Sequence, residues 1–373
     1  MSNIILSFYK YTPIDDPQRL KNYLKVLCDN HHILGRILIA KEGINGAVCA
    51  RKQDIDEFKQ ALLRDELFSD LTFREQDNET NAYHKLVIKI RPEIVHFGDP
   101  TDMSNRGTPL PPETLQDWYD QKQDFVIVDA RNEHEAKVGK FKDAIVMPIK
   151  TFREFPQASA QLISYKEKKI ILYCTGGIRC EKASAYLKQQ GFRDVYQLKG
   201  GIINYLTQYP HGYWEGGLFV FDDRLVAPAA TPISTCSHCH TLCERYINCH
   251  NLQCDKLFIC CTYCQEKMNY TCSEVCKNAP QQRLNINPFH LKKMVGIVQN
   301  YYPKVKVALV RVQEEPFPLK SKISIMGTTT VEFTQEIAEM KDFDGRSIGL
   351  AHPGQLITFP VDQKVRKNDK IIM

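Results

Sequence analysis

The stretch from Lys169 to Lys182 puts a thiol where negative charge is favoured. The apolar run Ile170-Ile171-Leu172-Tyr173 ends in Cys174, passes through Thr175-Gly176-Gly177 and enters a helix-forming segment at Ile178. In that order, successive backbone N–H groups and a helix N-terminus converge on the sulfur, which depresses a thiol pKa. The glycines allow unusual backbone angles and close approach of a ligand, and Arg179 adds a fixed positive charge. A cysteine at a strand end is ordinarily a buried structural thiol. The strand–loop–helix setting instead makes Cys174 a candidate nucleophile inside the loop Thr175, Gly176, Gly177, Ile178. Cys180 is either a helix-start cysteine without chemistry or a thiol that resolves a persulfide or sulfenate on Cys174.

Spacing separates two chemistries. A Cys-x5-Arg phosphate cradle needs arginine at position 180, which is Cys180, and Arg179 comes one residue early. The shorter ring suits a thiolate carrying one extra sulfur better than a tetrahedral phosphoryl group.

A second constellation lies further on. Ten of the 14 cysteines fall between Cys236 and Cys276. Eight form the local pairs Cys236/Cys239, Cys249/Cys254, Cys261/Cys264 and Cys272/Cys276. Two Cys-x2-Cys pairs are zinc-knuckle signals. One arrangement is cross-braced, with Cys236, Cys239, Cys261 and Cys264 on one ion and the other four on a second. Cys243, Cys260, His238, His240 and His250 stand as substitutes, and a metal-free or disulfide-bonded module is the competing reading. A closed four-thiolate zinc site would be structural, with no position open to substrate.

The elements that position these groups follow from periodicity. Residues 1–97 read as β-α-β-β-α-β, a ferredoxin-like unit. Its strands are Ile4 to Tyr9, Arg36 to Ala40, Ala47 to Ala50 and, last, Lys85 to Val95; its helices are Pro17 to Asp29 and Asp54 to Leu63. The segment Glu42-Gly43-Ile44-Asn45-Gly46 reads as a turn. A Pro/Gly-rich linker covers 98–112. Residues 113–214 read as an α/β domain with buried parallel strands at Phe125 to Val128 and Lys169 to Tyr173, and a helix that stops at Gly191. Residues 215–283 are too short and cysteine-rich to fold around a conventional core without a staple. Residues 284–373 read as a small β-rich domain. In it a helix, Pro288 to Gln299, precedes strands at Lys304 to Val312, Lys322 to Met326, Thr329 to Phe333 and Leu356 to Pro360.

Composition bounds the class. The 373 residues, 43% hydrophobic and 25% charged, are those of an ordinary globular protein. Neither a signal peptide nor an apolar run of membrane-spanning length is evident, so a cytoplasmic protein without a membrane partner is expected. In that reducing compartment, cysteines argue for metal or catalysis rather than disulfides. The net charge of +5 is compatible with a polyanionic partner without demanding one. Lys41 and Asn45 are candidate RNA contacts, and Arg51, Lys52, Lys85, Lys89 and Arg91 add positive charge nearby; each is equally an ordinary turn or solvent-facing residue.

Several strings carry a resemblance. Val128-Asp129-Ala130-Arg131-Asn132 with Glu135, Val138, Gly139 and Phe141, then Tyr173 to Arg179, then Tyr196 to Ile202, resemble the signatures of rhodanese (sulfurtransferase) domains. In that fold Cys174 matches the persulfide-bearing cysteine, and Asp129 and Arg131 match a structural string. A narrower set runs in order along residues 3–280: Ser7 to Tyr11, Lys41 to Gly46, Thr151 to Glu154, Tyr173 to Ser184, Phe219 to Asp222 and the cysteine cluster. It resembles the bacterial tRNA wobble-uridine hydroxylases, which carry a central rhodanese domain. The resemblance implies oxygen-dependent formation of 5-hydroxyuridine in the tRNA anticodon region, with molecular oxygen as co-substrate and tRNA as partner. No haem, flavin or two-His-one-carboxylate signature is evident, so no organic cofactor is expected. Residues 284–373 resemble the C-terminal β-barrel of the collagenase-like peptidase family, which implies an accessory RNA-binding or docking module. Two other readings stand beside the hydroxylase: a sulfurtransferase served by thiosulfate or a sulfur-donor protein, and a zinc-stapled RNA- or protein-binding scaffold.

Overall fold

The computed structural model describes residues 3–283, 294–313, 316–327, 330 and 333–372. The chain divides into two compact units, Met1–Gln282 and Arg283–Met373.

In the first unit, β1 (Asn3–Tyr11), α1 (Pro17–Asn30), β2 (Leu34–Ala40), β3 (Gly43–Arg51), α2 (Lys52–Leu63), β4 (Phe73–Asn78) and β5 (Leu86–Ile90) build one sheet of order β4-β1-β3-β2-β5. Successive strand residues face opposite sides. Ile4, Leu6 and Phe8 therefore point at Leu20, Leu24, Ile55, Phe58 and Leu62 of the two helices, where the core sits. Asp16 caps α1 through the Arg19 N–H at 2.9 Å, and Pro17 sits in its first turn.

Two sequence expectations change here. The strand that closes the split βαβ unit is β4, whose sequence FREQDN carries one apolar residue and so gave no strand signal. The bulky stretch at Lys85 to Val95 is instead a fifth strand, β5, parallel to β2 at the sheet edge. Residues Gly43 to Gly46 belong to β3 rather than to a turn. The hairpin turns on Lys41 and Glu42 alone, with Ala40 opposite Gly43. Glycine is needed at 43 because its φ is +149° and a Cβ there would lie 2.0 Å from the Lys10 carbonyl oxygen.

The next layer holds β6 (Thr108–Leu110), α3 (Pro112–Asp120), β7 (Val126–Asp129), α4 (Glu133–Val138), β8 (Gly139–Phe141), β9 (Ile145–Val146), α5 (Phe155–Ala158), β10 (Lys169–Tyr173), α6 (Ile178–Gln189), β11 (Asp194–Leu198) and α7 (Gly201–Gln208). Its five-stranded sheet, β6-β11-β10-β7-β9, is parallel throughout. The edge strand β6 comes from the stretch read as a linker. Cores on both sheet faces bury β10, which explains its unbroken apolar run. The cysteine-rich segment follows, with a short hairpin of Tyr246–Asn248 and Leu257–Ile259. Tyr246 and Ile259 pack on Val138, and the Tyr246 hydroxyl donates to the His134 carbonyl at 2.8 Å.

The second unit is a seven-stranded antiparallel sheet. Its order is Phe333–Glu336, Lys322–Met326, Lys370–Ile372, Met294–Tyr302, Val307–Val312, Leu356–Pro360, Lys341–Asp342. The helix expected over Pro288 to Gln299 is contradicted from Met294 onward by a strand; its first six residues lie outside the described ones. A β-bulge between Val298 and Asn300 accounts for the misreading. Bulges break the period of two, and Val295 and Val298, both buried, are spaced as on a helix. Of the strand expected at Thr329 to Phe333, only Thr330 and Phe333 are among the described residues.

Candidate active site

Cys174 directly follows β10, the third of the five parallel strands, and is fully buried. The chain then turns through Gly177, whose φ of +99° suits glycine, and enters α6. The Gly177 N–H donates to Cys174 Sγ at 3.2 Å, and the N–H groups of Arg179 and Cys180 also bear on the sulfur. Burial pushes the Cys174 thiol up. A hydrogen bond from the Cys180 thiol, the Arg179 charge and those N–H groups outweigh burial and bring it down to about 5. Cys180 moves the other way: burial, then the bond to Cys174, raise its thiol well above the ordinary range. At neutral pH the pair is therefore a thiolate with a thiol donating to it. Behind the loop, Gly201 closes the turn. The N–H groups of Ile202 and Ile203 bond the Cys174 and Thr175 carbonyls at 3.0 and 3.2 Å, and a Cβ on Gly201 would lie 2.5 Å from the Cys174 oxygen.

Buried ion pairs fix the surrounding charges. Arg179 donates to both Glu135 oxygens, at 2.5 and 2.8 Å, and to Thr175 Oγ1 at 3.3 Å. Burial raises the Glu135 carboxyl, and Arg179 more than reverses this, so the pair stays charged. Glu135 also accepts from the Asn132 backbone N–H at 3.2 Å, the carboxylate half of a capping box at the start of α4. Sequence reasoning quoted Glu135 but missed this role; a carboxylate three residues after Asn132 was the available signal. Beneath the loop, Arg131 donates to Asp129 at 2.9 and 2.6 Å and to the Gly139 carbonyl at 2.6 Å, and the Tyr173 hydroxyl donates to Asp129 at 2.7 Å. Asp129 and Arg131 are fully buried and organise the strand end.

Three strings far apart in sequence meet at α6. The Tyr9 hydroxyl donates to Glu181 at 3.1 Å and the Tyr11 hydroxyl to the Ile178 carbonyl at 3.2 Å. Lys182 donates to Glu42 at 2.9 Å and to Glu93 at 2.5 Å. The β2–β3 hairpin and the first strand thereby dock the first sheet onto the loop. Its helix-free face roofs a cavity of about 680 Å³ with Cys174, Thr175, Gly176 and Arg179 in its lining, a volume suited to a small-molecule or nucleotide-sized group. Arg36, Arg74, Arg91, Arg153 and Arg224 also line it. Arg224 is paired with Asp222 at 2.6 Å, and Arg74 lies over the Tyr9 ring at 5.6 Å. Arg36, Arg91 and Arg153 are exposed and have no carboxylate within ion-pair distance among the described residues. As a positive charge near the RNA candidates the sequence pointed only to Arg91 among these, because the others lie on separate elements.

Of the earlier RNA candidates, Asn45 lines the cavity and donates to the Ile94 carbonyl at 3.1 Å, whereas Lys41 is exposed at the hairpin tip outside the lining. Arg51 and Lys52 are paired with Asp54 and Asp56, each at 2.8 Å.

The cysteines sort into two sets. The sulfurs of Cys236, Cys239, Cys261 and Cys264 lie within 4.8 Å of one another, as do those of Cys249, Cys254, Cys272 and Cys276. None of the 14 cysteines is in a disulfide. Tetrahedral coordination with metal–sulfur bonds of about 2.3 Å puts neighbouring sulfurs about 3.8 Å apart. The Cys239–Cys261, Cys254–Cys272 and Cys272–Cys276 separations are 3.6, 3.7 and 3.8 Å. Each set can hold one metal ion. Cys243, Cys260 and the three histidines are in neither.

Comparison with known proteins gives a consistent pattern. Residues 3–94 match the UPF0176 acylphosphatase-like domain family, 111–208 the rhodanese-like domain and 215–277 the rhodanase C-terminal family. A tRNA uridine(34) hydroxylase of Cytophaga hutchinsonii is 40% identical over 287 residues, 75% of this chain and 91% of that one. One of Protochlamydia amoebophila is 36% identical over 296 residues, 78% and 91% of the two chains. The solved C-terminal domain of a candidate U32 peptidase from Geobacillus thermoleovorans is 26% identical, covering 22% of this chain and 99% of that domain, with a TM-score of 0.21. Among the described residues no helix is long and apolar enough to cross a membrane.

Proposed function

The chain belongs to the tRNA uridine(34) hydroxylase family, and from that membership we propose that it hydroxylates uridine 34 of tRNA with Cys174 as the reactive group. The observation that carries the assignment to Cys174 is its place in the lining of an arginine-lined cavity large enough for a nucleotide, with the Gly177 N–H on its sulfur at 3.2 Å. A thiolate there can add to C6 of a uracil ring, which makes C5 electron-rich, or can carry an oxidised sulfur. Cys180 holds a proton against that sulfur, and Arg179 keeps the loop positively charged in either role. Single-stranded RNA bases are commonly read after unstacking from a loop, and the cavity accepts such a base from the anticodon region. Molecular oxygen is the co-substrate in this reading, and the tRNA is met in the cytoplasm.

The test is a deletion strain whose tRNA nucleosides are analysed with a wild-type or a Cys174→Ala rescue copy. The expected result is loss of 5-hydroxyuridine in the deletion, recovery with wild type and none with the variant. Unchanged 5-hydroxyuridine in the deletion would sink the reading. The rhodanese-like match favours a second reading, persulfide transfer from thiosulfate or a sulfur-donor protein. Robust sulfur transfer to cyanide with no tRNA effect would promote it.

The two thiolate sets hold structural zinc in this account, with Asn251 donating to the Cys276 sulfur at 3.3 Å as outer support. Metal analysis of reduced protein should give two zinc ions per chain; none would remove the proposal.

A further inference from the structure

A second cavity of about 300 Å³ adjoins the first. The two share Arg36, Tyr83, Val220, Phe221 and Asp222, so these residues form the divide between them. Phe221 is the prominent one. It is a large apolar residue left 54% exposed, with the Arg179 guanidinium 5.6 Å from its ring centroid and Phe219 against it at 5.5 Å. The chain holds Phe221 firmly. The Leu225 N–H bonds the Asp222 carbonyl at 3.1 Å, Arg224 clamps the Asp222 carboxylate, and the Asp223 N–H reaches the Ala82 carbonyl at 3.0 Å. Rigid, exposed aromatic rings between two chambers are how proteins separate and stack successive bases of a single strand.

The second chamber has room for a base, with Lys85 as an exposed cation in its lining. Val87, Phe219 and Leu225 give it apolar walls, and its acids are already engaged, Asp222 by Arg224 and Asp223 by His84 at 3.1 Å. Arg36 differs: it lines both chambers, is exposed and has no carboxylate in ion-pair range among the described residues. A guanidinium at that point can reach a group spanning the two.

We propose that the second chamber is a subsite for the nucleotide next to the target uridine, with Phe221 as the stacking wedge between the two bases and Arg36 on the phosphate that joins them. The inference rests on the tRNA reading above and adds to it the recognition of a flanking base.

The test uses full-length protein and a synthetic anticodon stem-loop RNA, intact or with an abasic residue on one side or the other of the target uridine. Wild-type protein should bind one of the two abasic RNAs about tenfold more weakly than the intact RNA. Phe221→Ala should weaken binding of the intact RNA by a similar factor, and the same abasic change should then cost little more. Phe221→Trp should restore both the affinity and the abasic effect. Arg36→Gln should weaken intact RNA without abolishing the abasic effect. An unchanged urea-unfolding midpoint and far-UV circular dichroism show that each variant is folded. Losses that simply multiply, or a wild type indifferent to both abasic positions, would overturn the subsite alone. A wild type that binds none of the stem-loops and leaves them unmodified would overturn the tRNA reading together with it.

Discussion

Two sets of arginines serve one site, and the fold treats them in opposite ways. Arg131 and Arg179 are buried, tied to a carboxylate by three hydrogen bonds to Asp129 and by two to Glu135 respectively. Arg36, Arg91 and Arg153 stand exposed on the cavity wall with no carboxylate in range among the described residues. Burying a charge is costly unless it is paired, so the first set can exist only as part of a fixed framework. Exposed charges bear little of that cost and keep their donors for a ligand. The contrast teaches which positive charges belong to the fixed frame of the loop and which keep free donors on the cavity wall.

Breaking a buried pair should have the largest effect. Glu135→Ala leaves Arg179 charged and unpartnered, and should cost about 3–5 kcal/mol of stability in urea unfolding. A cost below about 1 kcal/mol would mean that the pair is not as the structure shows it.

The thiolate that this framework supports should appear as a pH dependence of stability. Folding depresses the Cys174 pKa from about 8.5 to about 5. Its contribution is therefore complete above about 8.5 and is lost as pH falls toward 5. The stability difference between wild type and Cys174→Ser should widen by on the order of 1 kcal/mol per pH unit across that window. A difference independent of pH would argue that the thiol is not ionised in the folded protein.

The exposed set should show the reverse profile. Replacing Arg36, Arg91 and Arg153 together by glutamine should change stability by no more than about 0.5 kcal/mol per site. It should nonetheless weaken binding of a synthetic anticodon stem-loop RNA and lower the salt dependence of that binding, with a log–log slope smaller by about 2. An unchanged slope would detach these arginines from the RNA.

The same contrast explains what could be read from the sequence. Cys174, its glycines and Arg179 are contiguous, so the loop was legible as an anion-favouring thiol. The grouping of the eight paired cysteines into two sets that could each hold an ion was legible for the same reason, since it follows short local spacings. The roof of the cavity was not. Its arginines come from β2, β4, the end of β5 and the turn before α5, and only the sheet topology gathers them. β4 itself is too polar to announce a strand, and the glycines of β3 imitate a turn although Gly43 and Gly46 are small because backbone and the Phe8 ring approach them. In the second unit a bulge hid a strand behind helical spacing. Local chemistry survives in the order of residues, whereas a surface assembled from distant strands does not.

The most direct test of the account is alkylation of Cys174 by iodoacetamide, followed by mass spectrometry from acid to alkaline pH with and without anticodon stem-loop RNA. Half-maximal reactivity is expected near pH 5, with a slower reaction when RNA covers the cavity. Reactivity that rises only near an ordinary thiol pKa of about 8.5, at a rate indifferent to RNA, would contradict it.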